Sequence, residues 1–298
     1  MKRIMYATLV LALGFSAWAL AGCTRAGTIT PSKTITPSKT SEPTAPAEPQ
    51  TPTAPVQAKT RVLVYFTRGE YLGVCAREVE AAGSEQALAE AAMRELLKGP
   101  TAAEKEFGLG TVVPAETALR SVRIADGVAT VDMSRAYESG GGSLSMLLRV
   151  AQVAYTLTQF DGVKSVSFML DGQPVQAIGG EGIIVSPPVT RAGFEGQAPP
   201  ILVESPTPGE SVASPVKVRG SANVFEAQLT VEITDPEGRI VASKQVMASS
   251  GTGTRGDFSA EIPFTVGRSG LGEVIFSSAS PKDGKRINVV EIPVQMAK

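Results

Sequence analysis

Between residues 201 and 298, three stretches place apolar residues at every second position, and this rhythm argues for strands packed face to face in that part of the chain. In "AQLTVEIT", Ala227, Leu229, Val231 and Ile233 fall on one side, with Gln228, Thr230, Glu232 and Thr234 on the other. The pattern returns in Phe258, Ala260, Ile262 and Phe264, and again in Val290, Ile292, Val294 and Met296. It predicts seven short strands, at 201–204, 214–219, 227–234, 239–247, 257–264, 272–279 and 286–296. Pro236-Glu237-Gly238 and Lys282-Asp283-Gly284 supply turns.

Residues 60–192 follow another pattern. "TRVLVYFTR" at 60–68 is dense in β-formers and reads as a strand buried on both faces. A glycine-bearing loop is expected next. A helix then starts at the N-cap Ser84, carries a stripe of Leu88, Ala92, Met93, Leu96 and Leu97, and stops at Gly99-Pro100. Two alternating strands flank Asp126-Gly127, a strong hairpin signal. A flexible "SGGGS" leads into a second helix whose Leu144, Leu147, Leu148, Ala151 and Ala154 are expected to face the core. Val163, Val166, Phe168 and Leu170 mark a last strand. The order strand-helix-strand-strand-helix-strand predicts an α+β domain with both helices on one face of a small mixed sheet. After a Gly/Pro connector at 193–200, residues 201–298 form an all-β sandwich of immunoglobulin-like type. The sandwich holds no cysteine, so the antibody subtype is excluded.

"AMRELLKGP", "TVVPAETALRSVRIADGVATVDMSRAY" and "AQVAYTLTQFDGVKSVSFMLDG", in that order, resemble the GerMN family of sporulation and germination lipoproteins over about 60–185. One copy of the domain is visible, and some of the family resembles ring-building folds that assemble side by side. "ILVESPTPGESVASPVKVRGSANVFEAQLTVEITDPEGRIV" resembles the Gmad immunoglobulin-like domain of bacterial spore germination, which frequently follows a GerMN domain.

The N-terminus has a different character. Lys2 and Arg3, an apolar run from Tyr6 to Leu20, and Leu20-Ala21-Gly22 before Cys23 give the layout of a secretory signal peptide over 1–22. The run is too short for a comfortable membrane-spanning helix. Leu-Ala-Gly-Cys resembles the bacterial lipobox, which implies cleavage between Gly22 and Cys23 and lipidation of the Cys23 sulfur. A further acyl chain, such as palmitate, would make a stable two-signal anchor. From Cys23 to residue 59 the chain reads as a Pro/Thr-rich tether, with Thr-Ile-Thr-Pro-Ser-Lys at 28–33 and again at 34–39. Fully extended at ~3.1 Å per residue, it spans on the order of 100 Å.

With no histidine, Ser-His-Asp and Cys-His arrangements and histidine-based zinc sites are excluded. A net charge of −1 without a basic block argues against nucleic acid. Cys75 reads as a small packed hydrophobe. "SGGGS" lacks the Lys-Ser/Thr of a phosphate loop and reads as a plain flexible loop. Asp126, Asp132 and Asp171 read as local hydrogen-bonding residues. Arg255-Gly256-Asp257 reads as a solvated turn, and Asp235 with Glu237 is too few oxygen ligands for calcium. No catalytic, cofactor-binding or metal site is expected. The expected function is that of a non-enzymatic scaffold or adaptor. It is anchored by lipid on the extracytoplasmic face of a bacterial membrane and contacts envelope protein partners, with self-association as one option. The alternative is a module binding peptidoglycan or another wall glycan. Aromatic residues total only 5%, and the single tryptophan, Trp18, lies in the signal peptide, which disfavours it.

Overall fold

The structure is a computed structural model that describes residues 59–80, 83–180 and 182–298. Its first strand, β1 (Lys59–Arg68), pairs antiparallel with β2 (Tyr71–Glu80), with Val64 opposite Cys75. The β2 stretch was expected as loop, because Gly69 and Gly73 interrupt its apolar pattern. Gly69 makes the turn with φ +62°, whereas Gly73 sits inside the strand because Leu109 packs on it. A Cβ at Gly73 would stand 2.5 Å from Leu109 Cδ2.

Helix α1 (Glu85–Lys98) begins where the Ser84 side chain accepts from the Ala87 amide, and ends at Gly99 with φ +73°. The short α2 (Ala102–Glu106) follows, closed by a capping box between Thr101 and Glu104. Arg77 of β2 joins these pieces. Its guanidinium donates to Glu104 through both Nε and Nη2, to the Glu95 carboxylate at 2.9 Å and to the Gly99 carbonyl at 2.9 Å. The helix stop is thereby tied to the hairpin.

Strands β3 (Leu119–Ala125) and β4 (Val128–Met133) turn tightly at Asp126 (φ +51°) and Gly127 (φ +78°). Helix α3 (Ser143–Leu157) then crosses to β5 (Ser165–Leu170), which lies parallel to β4. The short β6 (Gln173–Pro174) completes a mixed sheet of order β3-β4-β5-β6. A small hairpin, β7 (Ala177–Ile178) with β8 (Ile183–Ile184), follows. The mixed sheet is as expected, but β1 is not part of it: the β1–β2 hairpin forms a sheet of its own. Helices α1 and α3 pack on each other and touch both sheets.

Helix α3 departs from a one-sided stripe. Every residue from Leu148 to Leu157 is buried, so the helix runs through the middle of the domain. Leu144, expected in the core, lies in the first turn and is 44% exposed. Two polar residues of this helix, with Gln159 in the turn just after it, complete the free edge of β1. Gln159 accepts from the Leu63 amide and donates to its carbonyl, Thr156 accepts from the Tyr65 amide, and Gln152 donates to the Tyr65 carbonyl. At Thr67 the backbone of Gly110 takes over in both directions. The spacing 152, 156 keeps two of these side chains on one helical face, the turn after the helix brings Gln159 alongside them, and together they close the strand edge.

The second domain contains β9 (Ile201–Ser205), β10 (Ser211–Val212), β11 (Val216–Ala222), β12 (Gln228–Thr234), β13 (Ile240–Met247), β14 (Gly256–Ile262), β15 (Gly270–Ala279) and β16 (Arg286–Met296). The seven expected strands are present, and β10 is an eighth, pairing parallel with the end of β16. One sheet has the order β10-β16-β15-β12-β13 and the other β14-β11-β9. Their facing side chains form one core, with Phe258 and Phe276 5.9 Å apart across it. The Asp235 carboxylate accepts from the amides of Glu237 and Arg239, fixing the turn between β12 and β13.

Candidate functional site

The seam between the two domains brings together the buried Tyr65, Tyr155 and Glu204. Strand β9 creates it. Ile201 and Val203 point into their own domain's core, while Leu202 belongs to the core of the first domain. Glu204 follows two residues after Leu202 and is 9% exposed. An "ILVE" strand buried on both faces therefore joins two cores.

Glu204 meets three partners there. The Tyr65 hydroxyl donates to its Oε1 at 2.5 Å, and Arg191 Nη1 donates to the same oxygen at 2.9 Å. Arg219 Nη2 approaches Oε2 at 3.8 Å. Arg191 also donates to the Tyr65 hydroxyl at 3.1 Å and to Thr158 Oγ1 at 2.9 Å. Its guanidinium lies 4.8 Å from the Tyr155 ring centre and 5.2 Å from that of Tyr65, within cation–π range. Burial, reinforced by the Glu204 charge, pushes the Tyr65 phenol well above its ordinary pKa, against the opposing pull of Arg191.

The 193–200 stretch, expected as a connector, continues the seam. A 3-10 helix at Arg191–Gln197 buries Phe194, and Phe194 and Ala198 both join the first domain's core. Glu195 from this turn accepts from Arg255 Nε at 2.7 Å and from Asn223 Nδ2 at 3.1 Å. Burial alone would raise the Glu195 carboxyl, but these two hydrogen bonds outweigh it and hold it low. Arg255 donates further to the Pro199 and Ser221 carbonyls. Arg255-Gly256-Asp257 is therefore no solvated turn: Arg255 is an interdomain clamp, and Gly256 and Asp257 begin β14. Arg61 completes the seam with a 2.6 Å ion pair to Glu210.

Beside this cluster lies a cleft of about 750 Å³ between the domains. Both walls mix apolar and polar groups, with Leu63, Phe160, Arg61 and Gln159 from the first domain and Phe258 and Arg219 from the second.

Gly22 and Cys23 lie outside the described residues. Cys75 is 3% exposed, and burial pushes its thiol strongly up. Asp126 and Asp171 occupy turns with positive φ, and Asp132 accepts from the Gly172 amide at 3.0 Å. The loop expected to be plainly flexible is tied down: Arg149, 3% exposed, donates to the carbonyls of Val112, Tyr137, Ser139 and Gly140. No cluster of potential metal ligands occurs among the described residues. None of the helices among them is long and apolar enough to cross a membrane.

Two family matches account for this architecture. The Germane family, described as Sporulation and spore germination, matches residues 63–176. The Gmad2 family, described as Immunoglobulin-like domain of bacterial spore germination, matches residues 200–285. The chain carries a GerMN domain followed by a Gmad2 domain. No curated protein sequence matches the chain. Among solved structures, it is similar to the first GerMN domain of the sporulation protein GerM from Bacillus subtilis at 26% identity and a TM-score of 0.37, covering 45% of this chain and 98% of that one. The tandem GerMN domains of the same protein align at 14% identity and a TM-score of 0.39, covering 80% of this chain and 61% of that one. A Clostridium perfringens protein described as a candidate lipoprotein aligns at 18% identity and a TM-score of 0.35, covering 50% of this chain and 98% of that one. The seam described above joins the GerMN domain to the Gmad2 domain. Of the residues that build it, Arg255 drew attention in the sequence only as part of a triplet read as a solvated turn, and Tyr65, Arg191 and Glu204 carry no motif by which the sequence alone would have singled them out.

Proposed function

We propose that the chain is a lipid-anchored envelope protein that acts through protein contacts and catalyses no reaction. The observation that carries this reading is Leu20-Ala21-Gly22-Cys23, placed directly behind an apolar run and ahead of the Pro/Thr-rich stretch that leads to β1. Cys23 is the acylated residue, and the stretch to residue 58 spaces the two domains from the lipid. The interlocked seam supports presentation of the GerMN and Gmad2 domains to a partner as one body. The exposed aromatic residues among those described, Tyr71 and Phe225, sit on different domains and form no platform for a glycan.

The test is metabolic labelling of cells with an alkyne-bearing fatty acid, followed by fractionation. The wild-type chain is expected to take the label and sediment with membranes, and Cys23→Ala to lose both. A Cys23→Ala chain that still carries label or still sediments with membranes overturns the anchor.

A further inference from the structure

The core of the first domain does not end where the domain does. The Germane match stops at residue 176, yet the same buried cluster continues through Ile178, Val185, Phe194, Ala198 and Leu202. Leu202 stands on β9, whose Ile201 and Val203 belong to the other core. The borrowing runs one way. The first core takes Leu202 from the second domain, whereas every residue of the second core lies between Ile201 and Met296.

Only the second domain holds β9 by backbone pairing. Ile201 lies opposite Ala222, Leu202 opposite Ser221 and Val203 opposite Gly220 of β11. An added Cβ at Gly220 would press on the Leu202 carbonyl and the Phe258 ring, so the strand is seated tightly there. When the second domain unfolds, β9 loses these supports. Withdrawal of Leu202 leaves a cavity in the first core. Withdrawal of Glu204 takes the acceptor from the buried Tyr65 hydroxyl and the carboxylate from Arg191. An orphaned buried donor and a cation stripped of its counter-charge are both destabilising, and both fall on the first domain.

We propose that the GerMN domain keeps its native core only while the Gmad2 domain is folded, with β9 as the coupling strand. A partner or a stress that opens the Gmad2 domain then opens the GerMN domain as well, and a partner that holds the Gmad2 domain closed stabilises both. The second domain thereby controls the state of the first. The inference stands apart from the lipid anchor, since it concerns only residues from β1 onward.

The experiment is native-state hydrogen exchange on the purified full chain, read peptide by peptide by mass spectrometry. Ile178→Val trims a buried side chain of the first core and touches no residue of the second. If the first domain is never folded while the second is open, every global opening of the second includes the first. The slowest amides of β12 and β15 should therefore exchange about fivefold faster in Ile178→Val, although they lie in the other domain. Leu202→Ala combined with Glu204→Gln alters side chains outside the second core and should abolish that transfer. Adding Ile178→Val to this seam variant should change the β12 and β15 rates by less than about twofold. The same result is expected if the first domain of the seam variant is already unfolded, because the second-domain rates then no longer depend on it. Unchanged β12 and β15 rates in Ile178→Val alone, or a transfer that persists in the seam variant, overturns the proposal.

Discussion

Gln152 of α3 donates to the Tyr65 carbonyl at 3.2 Å, so a side chain in the middle of a buried helix replaces the neighbouring strand that β1 lacks. Thr156, one turn later, accepts from the Tyr65 amide at 3.2 Å. Thr156→Val keeps the side chain's shape and leaves that amide buried without a partner. The expected cost is about 1–3 kcal/mol, because the amide has lost water and gained nothing in return. A lower urea midpoint with an unchanged m-value would show it. An unchanged midpoint would mean that this edge bond adds nothing to stability.

The Arg77 network gives acid sensitivity with a definite sign. Burial alone would raise the Glu104 carboxyl, but hydrogen bonds from Arg77 and the Thr101 amide outweigh it and hold it below the usual range. Glu95 is likewise lowered, with Lys98 and Arg77 outweighing its burial. Groups with depressed folded values stabilise the fold above their unfolded pKa of about 4.3, and that contribution is lost as the pH falls through the folded values. Arg77→Met is therefore expected to lower stability at neutral pH by about 2 kcal/mol and to flatten its decline below about pH 4. Arg77→Lys keeps the charge but loses the forked contact with Glu104, and should fall between the two. Denaturant midpoints measured from pH 3 to pH 7 test this.

At the other end of the pH scale, Tyr65, Tyr137 and Tyr155 all have phenols raised by burial. A raised folded pKa means that the stabilisation is fully present below the unfolded value of about 10 and is lost as the pH rises above it. Phenolate absorbance near 295 nm from these three residues should appear together with loss of the folded circular dichroism signal. Phenolate formation well before unfolding would show that these rings are accessible.

How much of this was legible depends on how far a signal has to reach along the chain. The Ser84 cap, the Gly99 stop, the Asp126-Gly127 hairpin and the alternation through Val231 and Ile233 are set by neighbours in sequence, and all are where the pattern put them. The seam is not local: Tyr65 and Glu204 are 139 positions apart, and Arg255 and Glu195 are 60 apart. The polar stripe 152, 156, 159 is visible in the sequence, but its meaning depends on a strand edge about ninety residues earlier. Strand β2 was hidden by Gly73, a residue placed by the packing of Leu109 and not by strand propensity.

That contrast between local and distant constraints separates two glycines that look alike in sequence. At Gly127, with φ +78°, an added Cβ would stand 3.6 Å from Lys164 Cγ, an ordinary contact, so Gly127→Ala should cost only the backbone strain of about 1 kcal/mol. At Gly73 the backbone needs no positive φ, but the new Cβ would press on Leu109 at 2.5 Å and on the Arg68 Cβ at 2.9 Å. Leu109 is 4% exposed and fixed in the core, so Gly73→Ala must displace it, at about 1–3 kcal/mol. Cutting the contact back with Leu109→Ala should rescue the Gly73→Ala chain relative to the sum of the two single changes, whereas the same Leu109 variant should leave the Gly127→Ala cost unaltered. A double-mutant cycle on denaturant midpoints distinguishes the two, and additivity at Gly73 would refute the steric account.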